Sequence, residues 1–494
     1  MRSTIKLFLI SFVASSLAMV VLGQGLSFAQ GKAEKIDELL TMYYDYGQFN
    51  GVVLVAEHGD VILKKGYGYA DFEWGIENKP DMKFRIGSIT KQFTAMLIMQ
   101  LVEAGKLKLD APVTAYLADY RHDTGDRITI HNLLTHTSGI PNFTNIPGFW
   151  SDSIRNHYSI DHVVYNFCSD DLEFEPGTEF RYSNSNYYIL GAIIEQVSGM
   201  RYAELLHERI LEPAGMDNTG IDAFETIIPN RASGYARYGQ NLINAPYIYM
   251  QNAYAAGAMY TTVEDLFLWD KILYTNKLLG KKYMKKMFTP FLRDYAYGWA
   301  VLKVPVGGST AFEEDADSVM VITHNGGIHG FTSEIQRFVE DTHTIILFDN
   351  TGTPRLSEIA RAIRNILYDK PYDMPRKSVA EALLDTIIEQ GVEPAIEYYH
   401  ILRKEHPDEY NFDEGELNNL GYALLGMNRV KDAIAIFELN VEMYSGGYNT
   451  YDSLGEAYMI DGQRDLAIQN YAKSLELNPD NTNAIRMLQR LADQ

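Results

Sequence analysis

The feature that narrows the fold most lies near the end of the chain. Leu420-Gly421, Ala433 and Phe437 recur as Leu454-Gly455, Ala467 and Tyr471, each 34 residues further on. A fixed period of this length marks one supersecondary unit used repeatedly, each copy burying its apolar face on the next. A looser, earlier copy puts Ala395 and Tyr399 in the same roles, offset by 38 residues. Pro479 closes the second copy, and Ala484 to Leu491 reads as a terminal capping helix. The tail is therefore expected to be helical and to hold a core of its own. Ahead of it, Asp369 to Lys377 (DKPYDMPRK) carries two prolines and no periodicity, the pattern of a linker. The expected partition is a signal segment at 1–29, a first domain at 30–367, a linker at 368–377 and helical repeats at 378–494.

Composition narrows the function. The 494 residues suit two or three domains. The formal net charge of −22 argues against nucleic acid as the main partner and against docking on anionic lipid, since both repel an acidic surface. A single cysteine, Cys168, excludes an intramolecular disulfide, a four-thiolate zinc site and an iron–sulfur cluster. Cys168 itself reads as a small buried hydrophobe. At the start, Arg2 and Lys6 precede an apolar run from Leu7 to Leu22, and Ser27 and Ala29 stand where a signal peptidase reads. This is a secretory signal pattern with cleavage before Gln30, and the run is shorter than the ~20 residues of a membrane span. No cysteine directly follows the run to carry a lipid anchor. The expected location is periplasmic or secreted in a bacterium, with no stable membrane insertion after cleavage.

Within the first domain, Gly51 to Glu57 and Val61 to Asp71 flank His58-Gly59-Asp60 as a hairpin. Gln92 to Ala104 has a helical pattern that is apolar on most sides, and Tyr187 to Val197 is a second helical run. Strands return at Ser318 to Thr323, Thr332 to Val339 and Thr344 to Asn350. Strands at both ends with helices between predict an α+β domain whose terminal strands share one sheet.

Arg85-Ile86-Gly87-Ser88-Ile89-Thr90-Lys91 contains Ser-x-x-Lys at a helix start. Positions i and i+3 share a helix face, so Ser88 and Lys91 point into one space. A serine hydroxyl becomes a nucleophile when a base takes its proton. A lysine serves as that base when burial and neighbouring positive charge keep it neutral. Taken alone, the same four residues also fit an N-cap with a solvated lysine. Other chemistry lacks its residues. There is no Gly-x-Ser-x-Gly elbow, and His207-Glu208 has no second histidine at zinc-helix spacing. Gly66-Tyr67-Gly68 lacks the third glycine of a dinucleotide loop, and the twelve histidines form no metal-ligand spacing. No cofactor is expected.

Two further segments change the weight of Ser88-x-x-Lys91. Arg181-Tyr182-Ser183-Asn184 supplies Tyr-x-Asn before a helix, and His324-Asn325-Gly326-Gly327 supplies His-x-Gly on a late strand. In this order the three resemble the serine β-lactamase and penicillin-binding-protein superfamily. The resemblance is to the branch of class C β-lactamases, D,D-carboxypeptidases, D-aminopeptidases and related esterases. Leu133-Leu134-Thr135-His136-Thr137-Ser138-Gly139-Ile140-Pro141, Phe174-Glu175-Pro176-Gly177 and Gly326-Gly327-Ile328-His329-Gly330-Phe331 fit as well. The 34-residue period resembles tetratricopeptide repeats, whose matching small and large residues lock two helices together. The resemblance implies a β-lactamase-like fold, an antiparallel sheet flanked by helices plus an all-helical lobe, followed by an all-α solenoid.

It also implies roles. Ser88 would be the acylating nucleophile and Lys91 its base. Tyr182 would pass a proton to the leaving group and later help activate the deacylating water. Asn184, His324 and Gly326 would contact the substrate, and the backbone N–H groups of Ser88 and Gly327 would form the oxyanion hole. His136 and Ser138 are expected to be structural, and Tyr297-Gly298-Trp299 to pack a strand. The expected function is an exported serine hydrolase acting on a small peptide, amide or ester. A D-amino-acid peptide or ester is favoured over a β-lactam, because the third motif carries histidine where β-lactamases typically carry lysine. The repeats would offer a groove to a protein or peptide partner. The alternative is a catalytically weak penicillin-recognising protein whose repeats dock a partner.

Overall fold

The computed structural model describes residues 31–238, 241–307, 317–353 and 355–492. The signal pattern at 1–29 lies outside them. The chain divides into two compact units, residues 1–236 with 243–374, and residues 237–242 with 375–494.

The first unit is built on six antiparallel strands. In chain order they are β1 (Gly51–Glu57), β2 (Asp60–Tyr67), β3 (Ala300–Pro305), β4 (Ser318–Ile328), β5 (Phe331–Phe338) and β6 (His343–Asp349). Their order in the sheet is β3-β4-β5-β6-β1-β2. The expected sharing of one sheet is met in the register: Gly51 pairs with Asp349 and Val55 with Ile345. His58 and Gly59 turn the β1–β2 hairpin with positive φ of 50° and 83°, the left-handed conformation a tight hairpin needs.

Both faces of the sheet are covered, so the central strands read as continuous apolar runs that the pleat sorts by period two. Four helices of this unit matter to the site: α1 (residues 31–45), α2 (Thr90–Glu103), α3 (Asn184–Ser198) and α4 (Leu356–Leu367). Val53, Val55, Ile345 and Leu347 share the outer core with Leu39, Leu40 and Tyr43 of α1 and with Ile359, Ile363 and Ile366 of α4. Val52, Leu54, Ile346 and Phe348 face the inner core, with Phe93, Met96 and Leu97 of α2 and Tyr187, Leu190 and Ile194 of α3. The expected helix at 92–104 is observed as α2, buried on nearly all sides. The Oε1 of its buried polar residue Gln92 accepts from the Trp269 indole N–H at 2.9 Å.

The linker residues start out against the first unit. Tyr372 and Met374 pack on its outer core, and Asn365 donates to the Pro371 carbonyl at 3.0 Å.

The second unit contains α5 (Val379–Gln390), α6 (Val392–Glu405), α7 (Glu414–Gly426), α8 (Val430–Met443), α9 (Tyr448–Ile460), α10 (Arg464–Leu477) and α11 (Thr482–Ala492). The repeated residues lock consecutive helices. A Cβ on Gly421 would fall 2.4 Å from the Phe437 ring, and one on Gly455 would fall 3.2 Å from the Tyr471 ring. Ala395, Tyr399, Ala433, Phe437, Ala467 and Tyr471 are all fully buried in one core, as the looser first copy requires.

Candidate active site

Ser88 sits in a single 3₁₀ turn, Gly87–Ile89, that runs directly into α2. Close approach of β4 shapes this turn. Gly87 has a φ of +48°, and a Cβ there would meet Gly327 N at 2.8 Å. A Cβ on Gly326 would fall 2.0 Å from the Ile86 carbonyl oxygen and 2.5 Å from Ser333 Oγ. Glycine at both positions lets the strand lie against the Ser88 turn. Gly326 is buried in that contact, whereas a Cβ on Gly327 would meet nothing within 4 Å, so the strand is open to the cleft at Gly327.

One turn along α2, Lys91 is completely buried. Its Nζ lies 3.0 Å from Ser88 Oγ and donates to Asn184 Oδ1 at 2.9 Å and the Ala256 carbonyl at 2.8 Å. Among the described residues no carboxylate pairs with it, and burial alone holds its pKa well below the ordinary lysine value of 10.5. In the neutral amine, two N–H groups serve Asn184 and Ala256, which can only accept there. The lone pair is left for Ser88 Oγ, whose hydroxyl proton then points at Nζ.

Tyr182 closes the other side. Its ring lies 4.9 Å from Lys91 Nζ, and its hydroxyl is buried near Ser88 with no well-formed hydrogen bond among the described residues. Burial pushes its pKa up and the neighbouring Ser88 pulls it partly back, so it stays a phenol. Asn184, the first residue of α3, is fully engaged: Oδ1 accepts from Lys91, and Nδ2 donates to Thr144 Oγ1 at 3.2 Å.

His324, on β4, is buried and neutral. Burial and the nearby Lys91 lower its pKa to about 4. Its Nδ1 lies 2.6 Å from the Asn325 carbonyl, which can only accept, so Nδ1 carries the proton. Nε2 then accepts from the Tyr295 hydroxyl at 2.9 Å. Tyr295 is the residue sequence reasoning missed. Its signal in the sequence is the run Tyr295-Ala296-Tyr297-Gly298-Trp299, of which only the last three stand out as a motif. Of those three, Trp299 lies against the sheet, with the Arg337 guanidinium of β5 5.6 Å from its ring. Gly298, with a φ of +75°, lies under α2, where a Cβ would fall 2.7 Å from the Lys91 carbonyl. Tyr297 receives a hydrogen bond from or gives one to His131 Nδ1 at 2.9 Å, and Trp299 is fully buried.

The segment 133–141 bolts the start of α3 in place. His136, with a φ of +56°, accepts on Nδ1 from the Ser183 N–H at 3.2 Å, and its ring lies 4.2 Å from that of Tyr182. Ser138 Oγ donates to Asn186 at 2.6 Å, and Ser185 Oγ donates to the Pro141 carbonyl at 2.6 Å. His136 is kept neutral by burial and by the nearby Lys91 and His324.

A pocket of about 90 Å³ opens beside Ser88 on the side of Asn184 and Gly327. Phe143, Phe149, Trp150, Ile154, Ile248 and Ile328 line it, with no charged side chain among its walls. Cys168 is fully buried, and burial holds its thiol up at about 12, which makes it inert.

Residues 33–367 match the β-lactamase family model, and residues 448–481 match the tetratricopeptide-repeat model. The chain is 28% identical over 373 residues to penicillin-binding protein 4* of Bacillus subtilis (strain 168), covering 70% of this chain and 79% of that protein. The crystal structure of FmtA from Staphylococcus aureus superposes with a TM-score of 0.58 at 25% identity, over 69% of this chain and 88% of that one. A D-stereospecific amidohydrolase from Streptomyces sp. gives a TM-score of 0.53 at 25% identity, over 63% of this chain and 92% of that one. No helix among the described residues is long and apolar enough to cross a membrane.

Proposed function

The chain belongs to the β-lactamase family and is a serine hydrolase, and from this premise we propose that it acylates Ser88 with a small apolar acyl group from an ester, amide or D-amino-acid peptide. The observation that carries the reading is the buried, carboxylate-free Lys91, hydrogen-bonded to Ser88 Oγ.

The reaction follows from the donors and acceptors present. Lys91 Nζ takes the Ser88 hydroxyl proton as Oγ attacks the substrate carbonyl. The backbone N–H groups of Ser88 and Gly327 receive the negative oxygen of the tetrahedral intermediate. Tyr182, held as a phenol, gives its proton to the departing oxygen or nitrogen and is reprotonated from the Lys91 side. The carbonyl–leaving-group bond breaks, and the acyl group stays on Ser88. Water then repeats the cycle in reverse, losing its proton to the same relay, and releases the acid and free Ser88. The apolar pocket beside Ser88 suits an uncharged acyl group of modest size. Similarity to a D-stereospecific amidohydrolase supports an amide or peptide of D configuration. The neutral His324 supports weak use of β-lactams, whose carboxylate is held best by a fixed cation. Losing a charge-assisted hydrogen bond costs about 1.5–3 kcal/mol, roughly ten- to a hundredfold in binding.

We also propose export, on the signal pattern at 1–29, and a protein or peptide partner at the helical repeats.

The test is a panel of D-Ala-D-Ala peptide, D-amino-acid amide, p-nitrophenyl ester and nitrocefin, assayed with the natural chain and with Ser88→Ala. The ester or a D-amino-acid substrate is hydrolysed, nitrocefin turns over slowly, and Ser88→Ala loses every activity by several orders of magnitude. Near-normal turnover by Ser88→Ala would reject the nucleophile. A nitrocefin kcat/KM above about 10⁶ M⁻¹s⁻¹, within the range of efficient enzymes, would make the protein a β-lactamase.

A further inference from the structure

On the outer face of the sheet, between β3, β4 and β5 and the helix α4, there is a cavity of about 430 Å³. Its walls run from Tyr182, Tyr295 and His324 at one end to Ser357, Arg361 and Arg364 at the other. β3 pairs with β4 only as far as Ala300 opposite Thr323, so the edge of β4 beyond Thr323 is uncovered by β3 beside His324 and Asn325. The cavity reaches the catalytic groups there.

Ser357, Arg361 and Arg364 recur at i, i+4 and i+7 along α4, on one side of the helix. Arg364 is 6% exposed. Among the described residues, no acceptor lies within hydrogen-bond or ion-pair distance of the side chain of Arg361 or Arg364, and Arg364 Nε is buried without a partner. Burial and the charge of Arg361 pull the Arg364 pKa down to about 10. Glu334 acts on this guanidinium only through space, without a hydrogen bond or close ion pair, and a buried guanidinium left without such a partner is costly.

The one carboxylate in the wall, Glu334, attracts Arg364 through space but makes its hydrogen bonds elsewhere. It accepts from Ser357 Oγ at 2.7 Å and Gln336 Nε2 at 2.6 Å, and burial raises its pKa. With His324 neutral, the two arginines outweigh Glu334 and the cavity is positive, in a chain whose net charge is −22.

We propose that this cavity is an anion site, in which Arg361 and Arg364 pair with the carboxylate of a ligand lying beyond His324 and Tyr182. The carboxylate has two possible sources, the leaving portion of the substrate or a free small acid. The first rests on the serine-hydrolase reading, since Tyr182 faces the leaving group there. It also explains how a site with a neutral third motif can select an anionic substrate. A flexible leaving chain can run over the end of β3 to the arginines, whereas the carboxylate of a fused bicycle stays beside the reacting carbonyl.

Two measurements on the full chain separate the sources. The first compares kcat/KM for the phenylacetyl thioester of 3-mercaptopropanoate with that for its uncharged methyl ester. The second follows Tm of the non-turning-over Ser88→Ala chain in sodium glutarate, against sodium chloride of equal ionic strength. A substrate-borne carboxylate gives a preference for the acid of about tenfold or more, which falls toward one in Arg364→Gln and in Arg361→Gln. A free acid gives a glutarate-dependent rise in Tm that both arginine variants lose, with a substrate ratio near one. Either result supports the site. The site is overturned by a ratio near one together with a Tm that glutarate does not move. A glutarate-dependent Tm in a chain that hydrolyses neither thioester would keep the site and reject the hydrolase reading. Arg361→Gln, at an exposed position, supplies both readouts should Arg364→Gln fail to fold.

Discussion

Lys91 is held by three hydrogen bonds and no charge, and that arrangement has a signature in stability as well as in rate. Its folded pKa lies below the 10.5 of the unfolded chain. Between the two values the unfolded state binds a proton that the folded state does not, so stability rises with pH across that window. Below the folded pKa the penalty is fully present, and above 10.5 it is gone. Relative to Lys91→Met, the natural chain therefore gains stability as pH rises from 7 toward 10, by up to about 1.4 kcal/mol per pH unit. Urea unfolding of both proteins at several pH values measures this, and parallel pH profiles would contradict a buried neutral lysine. Tyr295 is tested by Tyr295→Phe, which removes the only donor to His324 Nε2 given by the structure. We expect kcat/KM to fall by up to about tenfold, the worth of one neutral hydrogen bond, with Ser88 acylation retained. An unchanged pH profile and unchanged kcat/KM would show that Tyr295 does not position the imidazole. Residues of this kind explain what stayed hidden in the sequence. Ser88, Lys91, Tyr182 and His324 stand in short motifs, whereas Tyr295 is brought to His324 by a turn that no local pattern announces. The unpaired state of Arg364 is likewise a property of its surroundings and has no spelling in the chain.

At the scale of elements, the contact between the Ser88 turn and β4 is the narrowest in the site. Gly326→Ala would put a Cβ 2.0 Å from a backbone oxygen, and neither backbone can yield as a flexible side chain would. Overpacking of this kind costs about 1–3 kcal/mol. It also moves the Gly327 N–H away from Ser88. Loss of one oxyanion donor costs roughly 10²- to 10³-fold in kcat, and we expect a loss of that order in steady-state assays, larger than the change in KM. An alanine variant with normal kcat would show that the strand has room to shift. The helices and strands themselves were legible, because the continuous apolar runs at 51–57 and 344–350 and the largely apolar helix near 92–104 are dictated by burial. Their ends were less so. The helix predicted from Tyr187 begins at Asn184, since its first turn is fixed by side chains reaching across from 136–142, a contact with no periodicity.

At the scale of the molecule, the chain divides at residue 374, with Tyr372 and Met374 packed on the first unit. A protein ending at Met374 should be folded and should hydrolyse small esters with kinetic constants within about twofold of the full chain, since each unit buries its own core. A cut at 369 removes those two contacts and should be less stable in thermal unfolding. If the 374 truncation lost acylation, the repeats would have to support the site directly. The 34-residue period made the tail readable from one chain, because each copy repeats the same lock of glycine against ring. The six-stranded sheet offered no such redundancy.

That sheet is closed by partners far apart in the chain: Asn50 Nδ2 donates to Asn350 Oδ1 at 2.6 Å across 300 residues. β1 lies between β2, a hairpin neighbour, and β6, which is made last. A ribosome must therefore deliver almost all of the first unit before β1 has both neighbours, and until then one long apolar edge stays open. Pairings of such long range are slow to form and expose the chain to misassociation while they wait. The solenoid that follows closes only local contacts. The part synthesised after the sheet is thus able to fold faster than it, and the catalytic centre, drawn from Ser88 near the start of the first unit and His324 near its end, is among the late features of the molecule to form.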